Sequence, residues 1–191
     1  MHNLKRLLAN LKPAPYFTRE PGGTPAAEQI RALLLNPELD MNPWAEAYLY
    51  AAARADLVRR EILPRLERGH LVLCERFLDS SLAYQGAGRG LGAATVRALN
   101  AWALEVTPDL TLYLRISAEE RARRARESGA PLDRIEKVGD DFMRRVEEGF
   151  EEIVHSEPER VRALDATLPP EELLETAARE ILEFGGAGGH L

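Results

Sequence analysis

Apolar residues recur along this chain with two spacings, one typical of helices and the other of short buried strands. Leucines three and four residues apart predict a helix near the N-terminus. Two later helices begin with a capping residue followed by proline, at Thr24-Pro25 and Asn42-Pro43, and Ser117 with Glu120 predicts a capping box for a third. The pattern predicts helices over residues 3–11, 24–35, 42–68 with a kink near Pro64, 93–106, 117–126, 140–155 and 170–184, and strands over 16–18, 70–74, 110–116 and 161–164.

Strands and helices alternate along the sequence, and this order predicts the fold class. Alternation at these intervals indicates an α/β protein whose parallel sheet is flanked by helices on both faces. At 191 residues and 21.3 kDa the chain fits one domain with its own hydrophobic core. We expect a single domain over residues 1–184 and a flexible glycine-rich tail over residues 185–191.

Charge and hydropathy argue against several classes of protein. A net charge of -6 and a pI near 5.4 argue against a nucleic-acid binder. The apolar runs are too short to cross a bilayer, and the N-terminus lacks a cleavable signal pattern, so we expect a cytoplasmic protein without a membrane partner. The single Cys74 agrees with a reducing compartment, and its place in an apolar strand predicts a packed, unreactive thiol.

Charged or glycine-rich residues follow three of the predicted strands. Residues 18–23 (TREPGG), the pair Glu75-Arg76 and Asp165 each stand at a strand exit. In open α/β sheets ligands bind at the carboxyl ends of the strands, so these exits indicate a shared charged ligand. The alternative is that each charged pair only caps the edge of the sheet.

The strand exit at Arg76 is followed by side chains suited to a nucleotide. Arg76 presents a guanidinium fork that matches phosphate oxygens, and Glu75 could orient it or hold Mg²⁺ through water. In a helical turn Ser81, Tyr84 and Gln85 share one face, which suits a grip on a base and a sugar. A packed Tyr84 with solvated neighbours is the alternative.

Two further groups of residues suit the same ligand. Tyr50 and Arg54 lie four apart on the long helix, where an aromatic ring could stack on a base and a guanidinium could bond its carbonyl edge. The alternative is that Tyr50 only packs in the core and Arg54 only lies on the surface. The arginine-rich stretch 121–126 breaks at residues 128–131 (SGAP), which indicates a mobile lid at about 121–139, although such runs also form solvated helix faces.

Taken in order, five motifs resemble the bacterial thymidylate kinase family. They are 18–24 (TREPGGT), 50–54 (YAAAR), 75–77 (ERF), 80–86 (SSLAYQG) and 133–136 (DRIE), at family spacing from about Leu4 to Leu182. The resemblance implies the fold of the P-loop kinases, dTMP and ATP as substrates, Mg²⁺ as cofactor, and a homodimer formed through helices.

The resemblance also implies roles for individual residues. Arg19, Glu20 and Pro21 would belong to the loop that lines the monophosphate and sugar, and Arg31 would contact the 5′-phosphate. Tyr50, where the family usually has Phe, would stack on thymine, and Arg54 would hydrogen-bond the thymine O4. Ser81 and Gln85 would hold the base edge, and Tyr84 would favour deoxyribose.

Arg76 would bridge the acceptor phosphate and the transferred phosphoryl group, with Glu75 in place of the family's aspartate. The lid arginines Arg123, Arg124 and Arg126 would close over ATP, and Arg124 and Asp165 are assigned to the ATP side.

One family feature is absent from the printed sequence. The phosphate loop G-x-x-x-x-G-K-[ST] cradles the donor phosphates in this fold class, and none of the three lysines follows a glycine. In the related kinases the strand before this loop is central in the sheet. We therefore expect the loop to be encoded upstream of Met1, or the sheet to close differently.

Three functions compete at this point. The first is ATP-dependent phosphorylation of dTMP to dTDP, with the phosphate loop upstream. The second is a dTMP-binding protein without phosphoryl transfer. Because the phosphate loop is absent, we expect negligible dTDP formation by the 191-residue chain itself. The third takes residues 86–90 (GAGRG) as an RNA-contacting segment, which the acidic balance disfavours.

Overall fold

Helices and short parallel strands alternate through the part of the chain that the structure describes. The computed structural model describes residues 2–102, 104–129 and 133–187. The strands are β1 (Tyr16–Arg19), β2 (Val72–Glu75), β3 (Thr111–Arg115) and β4 (Val161–Asp165). The α-helices are α1 (His2–Leu7), α2 (Pro25–Leu35), α3 (Pro43–Leu57), α4 (Leu63–Leu66), α5 (Leu78–Ser81), α6 (Ala93–Asn100), α7 (Ala118–Ser128), α8 (Asp140–Ser156) and α9 (Pro170–Ala187).

Short side chains cap three helices at the positions that the sequence predicts. The Thr24 hydroxyl accepts a hydrogen bond from the Ala27 amide at 3.1 Å, and the Asn42 side-chain oxygen accepts one from the Trp44 amide at 2.9 Å. The Ser117 hydroxyl accepts from the amide of Glu120 at 3.2 Å. These contacts satisfy amides that have no partner within the helix, and they determine where α2, α3 and α7 begin.

The predicted helix over residues 42–68 is interrupted, as the proline suggests. A π-helical segment, Val58–Ile62, separates α3 from α4. Pro64 has no amide proton and its ring crowds the preceding turn, and a widened turn just before it accommodates this defect. A second π-helical segment, Leu82–Gly88, follows α5 and packs against α8.

Several helix ends differ from the sequence-based expectation, and the first is that of α1, which ends at Leu7 instead of residue 11. The helix predicted over residues 93–106 ends at Asn100, whose side chain donates to the Val96 carbonyl at 2.8 Å. The last helix continues to Ala187, so the first three residues of the predicted tail are helical. Residues 188–191 lie outside the described residues. No helix among the described residues is long and apolar enough to span a membrane.

The strands form two separate parallel ladders, where the alternating pattern predicted one sheet. β1 pairs with β2 from Tyr16 opposite Val72 to Arg19 opposite Glu75. β3 pairs with β4 over residues 111–115 and 161–165. Across the described ranges, no backbone ladder joins β2 to β3. Side chains therefore connect the two ladders.

A buried ionic network provides part of this connection. Asp79, just after β2, accepts two hydrogen bonds from Arg160 at 2.8 Å and one from the Thr111 hydroxyl at 2.8 Å. Thr111 begins β3 and Arg160 directly precedes β4. The carboxylate thus ties the helix that follows one ladder to the start of both strands of the other.

An apolar core completes the connection. Leu57, Val58, Leu82 and Val161 are buried in one cluster, against which side chains of β2 and β3 also pack. Contact is close where the second π-helical segment meets α8, since a methyl group added at Gly88 would lie 2.6 Å from the Phe142 ring. This tight packing accounts for the glycine at position 88.

Candidate active site

The register of the first ladder brings two strand exits together. Arg19 lies opposite Glu75, and the Glu20 amide donates to the Glu75 carbonyl at 2.9 Å. The loop beginning at Glu20 and the pair Glu75-Arg76 therefore share one edge. This edge is the place where the sequence predicts the phosphate-binding groups.

Arg76 has an unusual backbone conformation. Its φ is +64°, and among the described residues it is the one non-glycine residue in the left-handed region. Such a conformation is costly for a side chain with a Cβ and is concentrated at functional sites. The Arg76 side chain is exposed, and its guanidinium lies 5.1 Å from the centre of the Tyr84 ring.

Tyr84 is held in place by aromatic neighbours. Its ring makes edge contacts with Phe142 and Phe150 of α8, with centroid distances of 6.1 and 6.2 Å. Phe150 in turn stacks on Tyr113 of β3 at 4.7 Å. The ring that contacts Arg76 is therefore positioned by both α8 and the second ladder.

Arg54 is a buried cation at the centre of the site. Its side chain is 1% exposed. Its Nε donates to Glu20 at 2.9 Å, Nη1 to Asn100 at 2.6 Å, and Nη2 to the Ser81 hydroxyl at 2.9 Å. One guanidinium thus binds the β1 exit, α5 and the last residue of α6.

Glu20 is the charged partner of Arg54. Burial raises the pKa of Glu20 to about 7, and the charge and hydrogen bond of Arg54 only partly oppose this effect. Its Oε2 accepts from Arg54, whereas its buried Oε1 has no hydrogen-bond partner among the described residues. Only one of the two Glu20 carboxyl oxygens therefore accepts a hydrogen bond from the described residues.

A second buried carboxylate, Glu46 of α3, lies beneath Gln85. Its Oε1 accepts from the Gln85 amide at 2.9 Å, and Arg89 binds both of its oxygens. Arg134 donates from Nη1 to its Oε2 at 2.8 Å. Tyr50 lies one turn after Glu46 on α3. Burial raises the pKa of the Tyr50 hydroxyl to about 12, and the charges of Glu46, Arg76 and Arg134 also influence it.

Two further arginines flank the loop after β1, Arg19 at the end of the strand and Arg31 on α2. Arg31 of α2 donates to the Pro21 carbonyl at 3.0 Å. Arg19 binds the carboxylate of Glu28 at 2.9 and 3.0 Å on the surface. Arg31 thus lies at the loop, whereas the guanidinium of Arg19 is paired with the first turn of α2.

The lid arginines lie on the exposed face of α7. Arg123 binds Glu120 and Glu127, and the Nε of Arg126 donates to the Ala122 carbonyl. Arg124 also binds Glu120, and its Nη2 donates to the Ala166 carbonyl at 2.9 Å.

Arg124 and Asp165 are brought together by this arrangement, because Ala166 directly follows Asp165 at the end of β4. Asp165 itself accepts from the Thr167 amide and hydroxyl at 2.8 and 2.6 Å. The predicted lid also includes residues 130–132, which lie outside the described residues.

The described residues provide no enclosed metal site. No group of three or more His, Cys, Asp or Glu side chains in these ranges is placed to hold a metal ion. Mg²⁺ is commonly bound through one or two carboxylates, waters and substrate phosphates. The exposed Glu75 therefore fits Mg²⁺ only as one carboxylate beside a bound nucleotide.

Most of the residues predicted to bind the nucleoside monophosphate lie close together, and several residues that contact them were not predicted. Arg76, Tyr84, Tyr50, Arg54 and Ser81 belong to one connected region. Sequence reasoning assigned no role to Asn100, which binds Arg54, or to Glu46, Arg89 and Arg134, which form an ionic cluster beside Gln85. Polar residues at buried positions of predicted helices were the available signal, since Glu46 and Asn100 stand where a core residue is expected.

Comparisons with known proteins show which family the chain resembles. The family model for thymidylate kinase matches residues 1–177. A thymidylate kinase of Enterococcus faecalis is 43% identical over 182 residues, covering 94% of this chain and 86% of the relative. One of Deinococcus radiodurans is 46% identical over 174 residues, covering 89% and 84%. The crystal structure of thymidylate kinase from Ehrlichia chaffeensis superposes with a TM-score of 0.73 at 26% identity, covering 95% of this chain and 88% of that chain.

Replacing Arg76 should separate backbone strain from ligand binding. Arg76→Gly and Arg76→Ala both remove the guanidinium, but only glycine adopts the left-handed conformation without cost. We expect Arg76→Gly to be more stable than Arg76→Ala by about 1 kcal/mol. Urea denaturation measures the difference, and equal unfolding free energies would contradict a strained Arg76.

Replacing Glu20 should change how stability depends on pH. The folded-state pKa of Glu20, about 7, lies above the ordinary value of 4.5, so the folded protein binds this proton more tightly and loses stability as pH rises through that window. Between about pH 5 and 8 the unsubstituted protein should lose about 1–3 kcal/mol relative to Glu20→Gln. Denaturation at several pH values measures this; Glu148→Gln, on the surface of α8, should retain the original slope. Parallel pH profiles for the unsubstituted protein and Glu20→Gln would rule out the titration.

Proposed function

Because this chain belongs to the thymidylate kinase family, we propose that it transfers the γ-phosphoryl group of ATP to dTMP and forms dTDP. The observation that carries this proposal is Arg76, held in a strained conformation at the tip of β2 beside Tyr84 and Tyr50. A fixed guanidinium at a strand tip suits an oxyanion whose position must not vary.

The acceptor phosphate would lie between the exits of β1 and β2. Arg76 would bind its oxygens in a forked contact, and Arg31 reaches the same loop through the Pro21 carbonyl. Glu20 and Pro21 would line the phosphate and sugar. Arg19 would join them only by exchanging its present partner, Glu28.

The base would lie against α3 and the segment after β2. Tyr50 would stack on thymine, and Ser81 and Gln85 would hydrogen-bond its edge. Arg54 would reach O4, although its three nitrogens already have partners in the protein, so part of its role is to fix Ser81 and Glu20. Tyr84, held by the α8 aromatics, would contact the sugar and favour deoxyribose.

Phosphoryl transfer would then depend on positioning and charge. An oxygen of the dTMP phosphate attacks the γ-phosphorus of ATP, the bond from that phosphorus to the β–γ bridging oxygen breaks, and ADP leaves. Arg76 would stabilise the charge on the transferred group. Arg123, Arg124 and Arg126 would approach from α7, and Arg124 with Asp165 would serve the ATP side.

Mg²⁺ would neutralise the donor phosphates when bound. Glu75 is the carboxylate of this site that would contact it, through water, because it stands at the strand tip next to Arg76. We assign no other residue to the ion.

We also propose that the protein acts in the cytoplasm as a homodimer formed through α3. Trp44 and Tyr48, four residues apart on α3, are 45% and 61% exposed, and their ring centroids are 6.4 Å apart. Ala52 continues the same exposed face. Exposed aromatic pairs with small neighbours are typical of interfaces between subunits.

The function is tested by measuring dTMP binding and dTDP formation on the same protein. Calorimetric titration should show dTMP binding, and ³¹P NMR with Mg-ATP should show dTDP formation by a protein that also carries the phosphate loop, which the printed sequence lacks. Arg76→Ala should lower turnover by at least about 100-fold, as loss of a group that stabilises transition-state charge does. Arg144→Ala, which removes only surface ion pairs of α8, should not change the rate. Failure to bind dTMP would contradict the substrate assignment, and binding without dTDP formation would contradict the transfer step.

The dimer is tested by sedimentation velocity. The unsubstituted protein should sediment as a dimer, and Tyr48→Arg should sediment as a monomer because it places a charge on the apolar face. Leu182→Arg, at an exposed apolar position of α9, is the matched control and should remain dimeric. A monomeric unsubstituted protein, or a dimeric Tyr48→Arg, would contradict this interface.

A further inference from the structure

Glu46 is fully buried, and its carboxylate is satisfied by three side chains. Gln85 and Arg89 donate to Oε1 at 2.9 and 3.2 Å, and Arg89 and Arg134 donate to Oε2 at 2.7 and 2.8 Å. Burial alone would raise the pKa of Glu46, but the hydrogen bonds from Arg89, Gln85 and Arg134 lower it below its ordinary value. The carboxylate is therefore ionised at neutral pH.

The two arginines prevent Glu46 from rotating away from Gln85. Arg89 grips the carboxylate with two nitrogens and lies over the Phe142 ring at 4.8 Å. The Nε of Arg134 donates to the Leu34 carbonyl at 2.7 Å, which anchors this arginine to the last turn of α2. The carboxylate is thus held from two independent elements.

An ionised carboxylate only accepts hydrogen bonds, and this property determines the orientation of Gln85. The side-chain amide of glutamine has one accepting oxygen and one donating nitrogen. The atom that faces Glu46 must be the nitrogen, so the oxygen is the atom left to accept from a ligand. Gln85 is 1% exposed, and an amide at this depth has no bulk water that would compensate a reversed orientation.

We propose that Glu46 is the positioning residue that sets pyrimidine selectivity, by holding the Gln85 amide with its oxygen toward the base. This inference rests on the proposed binding of dTMP. Thymine carries a donor at N3, which an amide oxygen accepts. Cytosine has an acceptor at N3, so the same amide oxygen would meet a second acceptor and both would remain unpaired.

The experiment compares two ligands that differ only at the base edge. The dissociation constants of dTMP and 5-methyl-dCMP are measured by calorimetry, because both carry the 5-methyl group, the sugar and the phosphate. The quantity of interest is their ratio. A residue that only supports the fold would weaken both ligands equally and leave the ratio unchanged.

Glu46→Gln is the informative variant. Oε2 accepts from Arg89 and Arg134 at 2.7 and 2.8 Å, whereas Oε1 accepts from an arginine only at 3.2 Å. The oxygen of the new side chain should therefore take the Oε2 position, and its nitrogen should face Gln85. That nitrogen donates to the Gln85 oxygen and reverses the amide. We expect the preference for dTMP over 5-methyl-dCMP to fall by at least about tenfold, the change for one hydrogen bond exchanged for an unpaired group.

Two further variants keep the test decisive. Glu46→Asp retains the charge against both arginines but shortens the side chain, so it should fold and should also lower the ratio, since Gln85 is no longer held. Gln85→Leu should lower the ratio, and a Glu46 substitution added to Gln85→Leu should not change the ratio further. Glu148→Gln, at an exposed position of α8, should preserve the original ratio. Thermal melts confirm that each variant is folded at the assay temperature.

The outcomes separate this inference from the proposed function. An unsubstituted protein that does not bind dTMP contradicts the proposed function. One that binds dTMP and 5-methyl-dCMP equally overturns the selectivity argument alone. Folded Glu46 variants that retain the ratio within about twofold, the spread of such measurements, overturn the role of Glu46.

Discussion

The buried guanidinium of Arg54 is the constraint on which the site depends. A cation with 1% of its side chain exposed must be paired and hydrogen-bonded, because an uncompensated charge in the interior costs several kcal/mol, on the order of a domain's whole stability. Glu20, Ser81 and Asn100 supply the partners, and they come from three separate segments. Satisfying this one group therefore brings the β1 exit and the segment after β2 to a common place.

Ionic and apolar contacts also replace backbone pairing between the two ladders. Backbone hydrogen bonds specify a sheet by register, whereas the link through Asp79 specifies only that Thr111 and Arg160 meet at one carboxylate. The buried cluster around Leu57 and Leu82 stabilises the junction between the ladders, but apolar contacts do not specify a register. Such a junction depends on few groups, so the relative placement of β2 and β3 is set mainly by side chains.

Local signals in the sequence were sufficient for the elements, and long-range partners were not. The caps at Thr24, Asn42 and Ser117 and the alternation of strands with helices predicted where most elements begin and that the strands are parallel. The missing strand before the phosphate loop led us to expect an altered sheet, but which strands remain neighbours could not be predicted, since no periodicity reports it. The same holds for Asn100 and Arg134, whose partners lie 46 and 88 residues away along the chain.

Glu20 and Glu46 show how the same side chain at similar burial acquires opposite properties. Glu46 accepts from three side chains, two of them arginines, and its pKa falls below the ordinary value. Glu20 has one arginine and an unpartnered oxygen, and its pKa rises to about 7. The number of donors thus decides which carboxylate keeps its charge. Near neutral pH Glu46 stays ionised and firmly held, which suits a residue that orients the Gln85 amide. Glu20, with a pKa of about 7, exchanges its proton in this same range.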